Sequence, residues 1–172
     1  FADVFTLITY LFELIDRRDW QTFQAVALSE SALRTITAAI EKFSEFFNGM
    51  TLLHAVVRCN PPLEIVTTII KICPDLPAAK DCLGRTPLHV AAGSAAAPNL
   101  IKLIAHAHPA SCDATDEYGK TPLHFACDSS CELFEDDHKN HQSKPRNVCH
   151  DTIRALLSES LLAATIEDQD EM

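Results

Sequence analysis

A chain of 172 residues with 47% hydrophobic and 22% charged side chains has the size of one ordinary domain and can bury a core. Four glycines are too few for an all-β protein built on many tight turns. A net charge of -10 argues against nucleic acid and against anionic membrane surfaces as partners, because both call for a basic face.

Seven cysteines at irregular spacing do not form a disulfide framework, which points to a reducing compartment: intracellular, cytoplasmic or nuclear. Residues 1–15 are apolar but carry Asp3 and Glu13 and are shorter than a membrane span, so no span is expected. The chain starts at Phe1 rather than Met, which predicts a piece of a longer protein.

In chain order, residues 11–15 and 20–27 read as two helices joined at Arg17-Arg18-Asp19, and residues 31–40 as a third. Phe12, Leu14, Ile15, Trp20 and Phe23 are the candidate core of a helical N-terminal cap over residues 1–45. A new pattern follows. Gly49-Met50-Thr51-Leu52-Leu53-His54, Gly84-Arg85-Thr86-Pro87-Leu88-His89 and Gly119-Lys120-Thr121-Pro122-Leu123-His124 repeat at a period of 35 residues. Asp81 and Asp116, three residues before their glycines, suit a β-turn in which Asp bonds backbone amides and Gly takes angles closed to other residues. Thr86 and Thr121 sit where a helix cap belongs, with Pro87 and Pro122 at the first helical position. From the third position His89 and His124 reach back to the cap, each tying its own turn to its own helix. Short apolar helices over 88–92 and 123–127 follow, with Leu88 and Leu123 at a recurring core position. Second helices carry Ile65, Val66, Ile69 and Ile70, then Leu100, Ile101 and Ile104, at helical spacing.

Thr-Pro-Leu-His-x-Ala at 86–91 and 121–126 resembles the ankyrin-repeat signature, and the first copy matches with Leu52 in place of Pro. The resemblance implies an all-α solenoid of stacked helix-turn-helix pairs with protruding β-turns. Its units fall at 46–80, 81–115 and 116–167, and a fourth, truncated one opens at 168–172. Each full unit is two residues longer than the family's usual length of about 33, and the glycine that ends the family's first helix is absent. In the third unit Ile153 stands 52 residues after its counterpart Ile101, so 17 are inserted, at about 128–147, in a polar stretch expected to be an exposed loop.

No nucleophile elbow, phosphate loop or His-Glu-x-x-His appears, so no enzyme and no cofactor are expected. His54, His89 and His124 are too far apart, at one per stacked unit, to share a metal. Cys127, Cys131, His138, His141, Cys149 and His150 are zinc-type ligands, but their spacing matches no zinc module, and Cys127 takes a core position matching Ala92. A metal-binding role of the insert stays a minor alternative. So does a permanently bound structural subunit of a larger assembly.

What the resemblance implies is a protein partner, held by the turn tips and the concave groove. The family's variable positions map to Asn48, Met50 and Arg58 in the first unit. They map to Cys82, Leu83, Arg85, Gly93 and Ser94 in the second, and to Glu117, Tyr118, Lys120 and Asp128 in the third. Tyr118, Leu83, Met50 and Arg85 are the chemically suited anchors, since aromatic residues, Met and Arg concentrate at interface cores.

Overall fold

The computed structural model describes residues 2–128, 149–160 and 162–167. Every regular element among these is helical. Three helices come first: α1 (Ala2–Asp16), α2 (Trp20–Ala27) and α3 (Glu30–Lys42). Caps start two of them: the Asp19 carboxylate accepts from the Thr22 amide, and the Ser29 hydroxyl accepts from the Ala32 amide. Three helix pairs follow: α4 (Leu52–Arg58) with α5 (Leu63–Ile72), α6 (Pro87–Gly93) with α7 (Pro98–Ala107), and α8 (Pro122–Cys127) with α9 (His150–Glu159). The first helices stack in the order α4, α6, α8, and the second in the order α3, α5, α7, α9. Two layers of helices therefore enclose the core.

That core runs unbroken through the stack. Ile8, Leu11, Leu14, Ile15, Phe23 and Leu33 are buried at the N-terminal end, with Phe12 and Trp20 half-buried against them. Leu53, Val56, Ile65 and Ile69 continue it, then Leu88, Val90, Ile101 and Ile104. α1 extends well beyond residues 11–15: it starts at Ala2, and Ile8 joins Leu11, Leu14 and Ile15 on its buried face.

The two described loops between paired helices, after α4 and after α6, solve their turn without glycine. Asn60 and Ala95, 35 residues apart, both take left-handed backbone angles, with φ of 50° and 52°. Asn tolerates this geometry, and Asn60 Oδ1 also accepts from the Ala97 amide at 3.1 Å, joining neighbouring loops. Ala95 has no such compensation. Ala95→Gly is expected to raise stability by about 0.5–1 kcal/mol, since the left-handed cost to Ala outweighs the entropy that Gly adds to the unfolded chain. Urea unfolding checks this; a loss of stability would mean that the Ala95 methyl packs usefully.

The inserted residues up to position 147, and the expected start of a fourth unit at 168–172, lie outside the described residues apart from Asp128 at the insert's edge.

Candidate partner-binding surface at the turn tips

In the second turn, Asp81 Oδ1 accepts from the amides of Leu83 (3.0 Å) and Arg85 (2.9 Å), and Gly84 sits at φ 75°. The Asp81 amide donates to the Arg85 carbonyl at 3.0 Å and closes the turn. Asp116 does the same in the third turn, accepting from Tyr118 (2.9 Å) and Lys120 (2.8 Å). The first turn has Phe46 where these have Asp, and is built instead on a 3-10 helix, Ser44–Phe47, with Asn48 left-handed.

Adjacent tips are stitched by backbone bonds, Cys82 amide to Asn48 carbonyl (2.9 Å) and Glu117 amide to Leu83 carbonyl (3.0 Å). They lie so close that a Cβ on Gly49 would stand 2.8 Å from the Cys82 nitrogen. This is why glycine recurs there.

The histidines do more than cap their own helices. His54 Nδ1 accepts from the Thr51 amide at 3.1 Å, which leaves the proton on Nε2 to donate to the Arg85 carbonyl of the next turn at 2.9 Å. His89 repeats the arrangement with Thr86 (3.1 Å) and the Lys120 carbonyl (3.0 Å). Each ring thus bolts its own turn to the following one, a long-range contact that the local reading of these residues missed.

Burial holds both rings neutral. It lowers the pKa of His54, and lowers that of His89 to about 4, only partly offset by the bond to the Lys120 carbonyl. A second proton on Nδ1 would also point at a threonine N–H. Between 6.5 and about 4 the unfolded chain binds a proton that folded His89 refuses. Its contribution is therefore fully present above pH 6.5 and is lost progressively as pH falls toward 4. By about pH 5 His89 alone should have removed about 2 kcal/mol, and His54 acts in the same direction. Urea midpoints at about pH 7.5 and about pH 5 measure it; equal midpoints would mean that the rings are solvated or charged.

The tips carry Asn48, Cys82, Glu117 and Tyr118 exposed, and Met50, Leu83 and Lys120 half-buried. Tyr118 is 51% exposed on a turn fixed by Asp116. Arg58 and Asp128, at the ends of their first helices, are half-buried. Some expectations are corrected. Arg85 does not face a partner: it is only 6% exposed, and its guanidinium meets the buried Asp81 carboxylate at 2.7 Å. Gly93 is buried, and the Ser94 hydroxyl is enclosed with no hydrogen-bond partner among the described residues, so neither offers surface chemistry. Cys127 is exposed rather than in the core, and Leu123 is only half-buried. Among the described residues α8 packs on α6, α9 and the 3-10 helices Pro109–Cys112 and Leu162–Thr165, with no further first helix beside it.

One surface went unread in the sequence. Phe46 is 71% exposed, and its ring lies 6.0 Å from that of Phe5; Phe5 also contacts Phe43 and Phe47, both at 6.1 Å. The concentration of phenylalanine at 43, 46 and 47, with Phe46 where the other turns carry Asp81 and Asp116, was the available signal.

Of the candidate metal ligands, Cys131, His138 and His141 lie outside the described residues. Among the described residues no group of three or more His, Cys, Asp or Glu is placed to hold an ion, and no helix is long and apolar enough to cross a membrane.

Comparison with known families matches residues 76–126 to ankyrin repeats (many copies). No curated protein matches the chain.

Proposed function

From the premise that this is an ankyrin-repeat chain of all-α architecture, we propose that it is a protein–protein interaction module that grips its partner with the turn tips and the adjoining groove. Ankyrin repeats generally mediate protein–protein interaction, and such domains are typically non-enzymatic. The observation that carries the reading is Tyr118, half-exposed on a turn whose backbone Asp116 holds rigid. A rigid aromatic ring gives contact area at little entropic cost, and this is the usual make-up of an energetic anchor.

Leu83 stands one turn away at the equivalent position, joined to the third tip through its carbonyl, with Lys120 beside Tyr118. With Arg85 turned inward, the patch is an apolar pair with one cation at its rim. A partner segment carrying an apolar residue next to a carboxylate fits it. Asn48, Met50, Arg58, Cys82, Glu117 and Asp128, the other family-variable positions, are the further contacts of this proposal.

Tyr118→Ala is expected to weaken partner binding by at least about 1 kcal/mol while leaving the melting temperature nearly unchanged, because a turn tip carries little core. Titration of the partner against wild type, Tyr118→Ala and Leu83→Ala tests it. Unchanged affinity in both variants would place the contact elsewhere.

The exposed Phe5–Phe46 surface favours a second reading, a permanently bound subunit, since aromatic surface of this kind is costly to leave in water. A permanent subunit aggregates when purified alone; an adaptor stays monodisperse.

A further inference from the structure

The linkers that lead from each second helix to the next turn pack side by side. One holds the 3-10 helix Leu76–Ala78 and the next holds Pro109–Cys112. The Ser111 hydroxyl donates to the Pro77 carbonyl at 3.2 Å, and Lys80 Nζ donates to the Thr115 carbonyl at 3.4 Å. Each linker begins with an X-Pro step, Cys73-Pro74 or His108-Pro109, which sets the extended entry into the short helix.

The junction before the first unit is different. Twelve positions separate the end of α5 at Ile72 from Gly84, and twelve separate the end of α7 at Ala107 from Gly119. Only seven separate the end of α3 at Lys42 from Gly49. The chain there is five residues shorter, and its own 3-10 helix, Ser44–Phe47, follows α3 almost directly. A cavity of about 640 Å³ lies at that place, between α3 (Thr37, Glu41) and the outer side of the first linker (Cys73, Pro74, Leu76, Lys80). Its size falls within the ordinary range for ligand sites. One face of the Leu76–Ala78 linker is thus covered by the following linker, while the opposite face lines an open cleft.

We propose that this cleft receives a short proline-containing segment of a protein partner, folded as a single 3-10 turn and lying where the missing linker would lie. The proposal rests on the reading of the chain as an interaction module but names a surface separate from the tips. The chemistry of the occupant follows from what fills the equivalent space one unit on. It is about five residues long and opens with X-Pro. It brings a small apolar or hydroxyl side chain to the floor formed by Ile40, Leu52 and Leu76. The side chains of Thr37, Glu41 and Lys80 line the same cleft.

The test uses the isotope-labelled chain and a synthetic library of hexapeptides built on Cys-Pro-Asp-Leu-Pro-Ala and His-Pro-Ala-Ser-Cys-Asp, read by backbone amide shifts. Saturable shifts at residues 34–41 and 73–80 are expected from part of the library. Filling the cleft with Thr37→Trp, or with Glu41→Trp should the first variant fail to fold, should reduce those shifts at least tenfold and leave any response at Leu83 and Tyr118 in place. Shifts confined to the tips would overturn the cleft and keep the interaction module. Shifts that persist in a filled cleft, or no saturable response from any peptide, would overturn it as well; the tip titration then stands as the separate trial of the module.

Discussion

Arg85→Ala is expected to lower stability by about 3–5 kcal/mol, the usual cost of removing one partner of a buried ion pair. Asp81 has a fully buried side chain, and its Oδ2 takes both guanidinium contacts at 2.7 Å while Oδ1 serves the amides of Leu83 and Arg85. Truncation strands a carboxylate that two amides alone must hold. The damage spreads, because the same turn supplies the carbonyl that receives His54. Arg85→Lys should recover part of the loss, since an ammonium restores charge but not the fork. Denaturant unfolding of the three proteins decides it. A loss under about 1 kcal/mol for Arg85→Ala would mean that the guanidinium is solvated, and would return Arg85 to the candidate contacts.

Leu88→Ala is expected to cost about 2–5 kcal/mol, as truncation of a fully enclosed leucine does. It lies in the first turn of α6, a helix that packs on α4, α7 and α8 at once, so the void cannot collapse from one side. Leu123, its counterpart in the third unit, is half-buried and should cost less than about 2 kcal/mol when cut back. Equal effects would show that the third unit is covered as completely as the second. A loss under about 1 kcal/mol for Leu88→Ala would remove the stacked core itself.

The features legible in the sequence were those with local causes. The Asp–Gly turn, the Thr–Pro helix start and the apolar spacing of α5 and α7 each need only a few neighbouring residues, so the 35-residue register carries them. The second bond of His54 and His89 escaped because its acceptor lies 31 residues away. Arg85 was misread because a turn position was taken as exposed; Asp81 four residues earlier was the visible counter-sign. Cys127 and Leu123 repeat the residue types of core positions, but burial depends on a following unit that the register alone does not supply. The aromatic surface at Phe5 and Phe46 was hidden by a non-repeating segment, and the cleft beside α3 by a shortfall of five residues rather than by any motif.

The central claim, that the tips hold a protein partner, meets its most direct trial in site-specific photo-cross-linking. A photoreactive amino acid is placed singly at Leu83, at Tyr118, and at the exposed Lys102 of α7 on the outer layer, and each variant is irradiated in native lysate. Cross-linked products of one defined mass from positions 83 and 118, absent from 102, are the predicted result. Products from 102 alone, with none from either tip, would contradict the account.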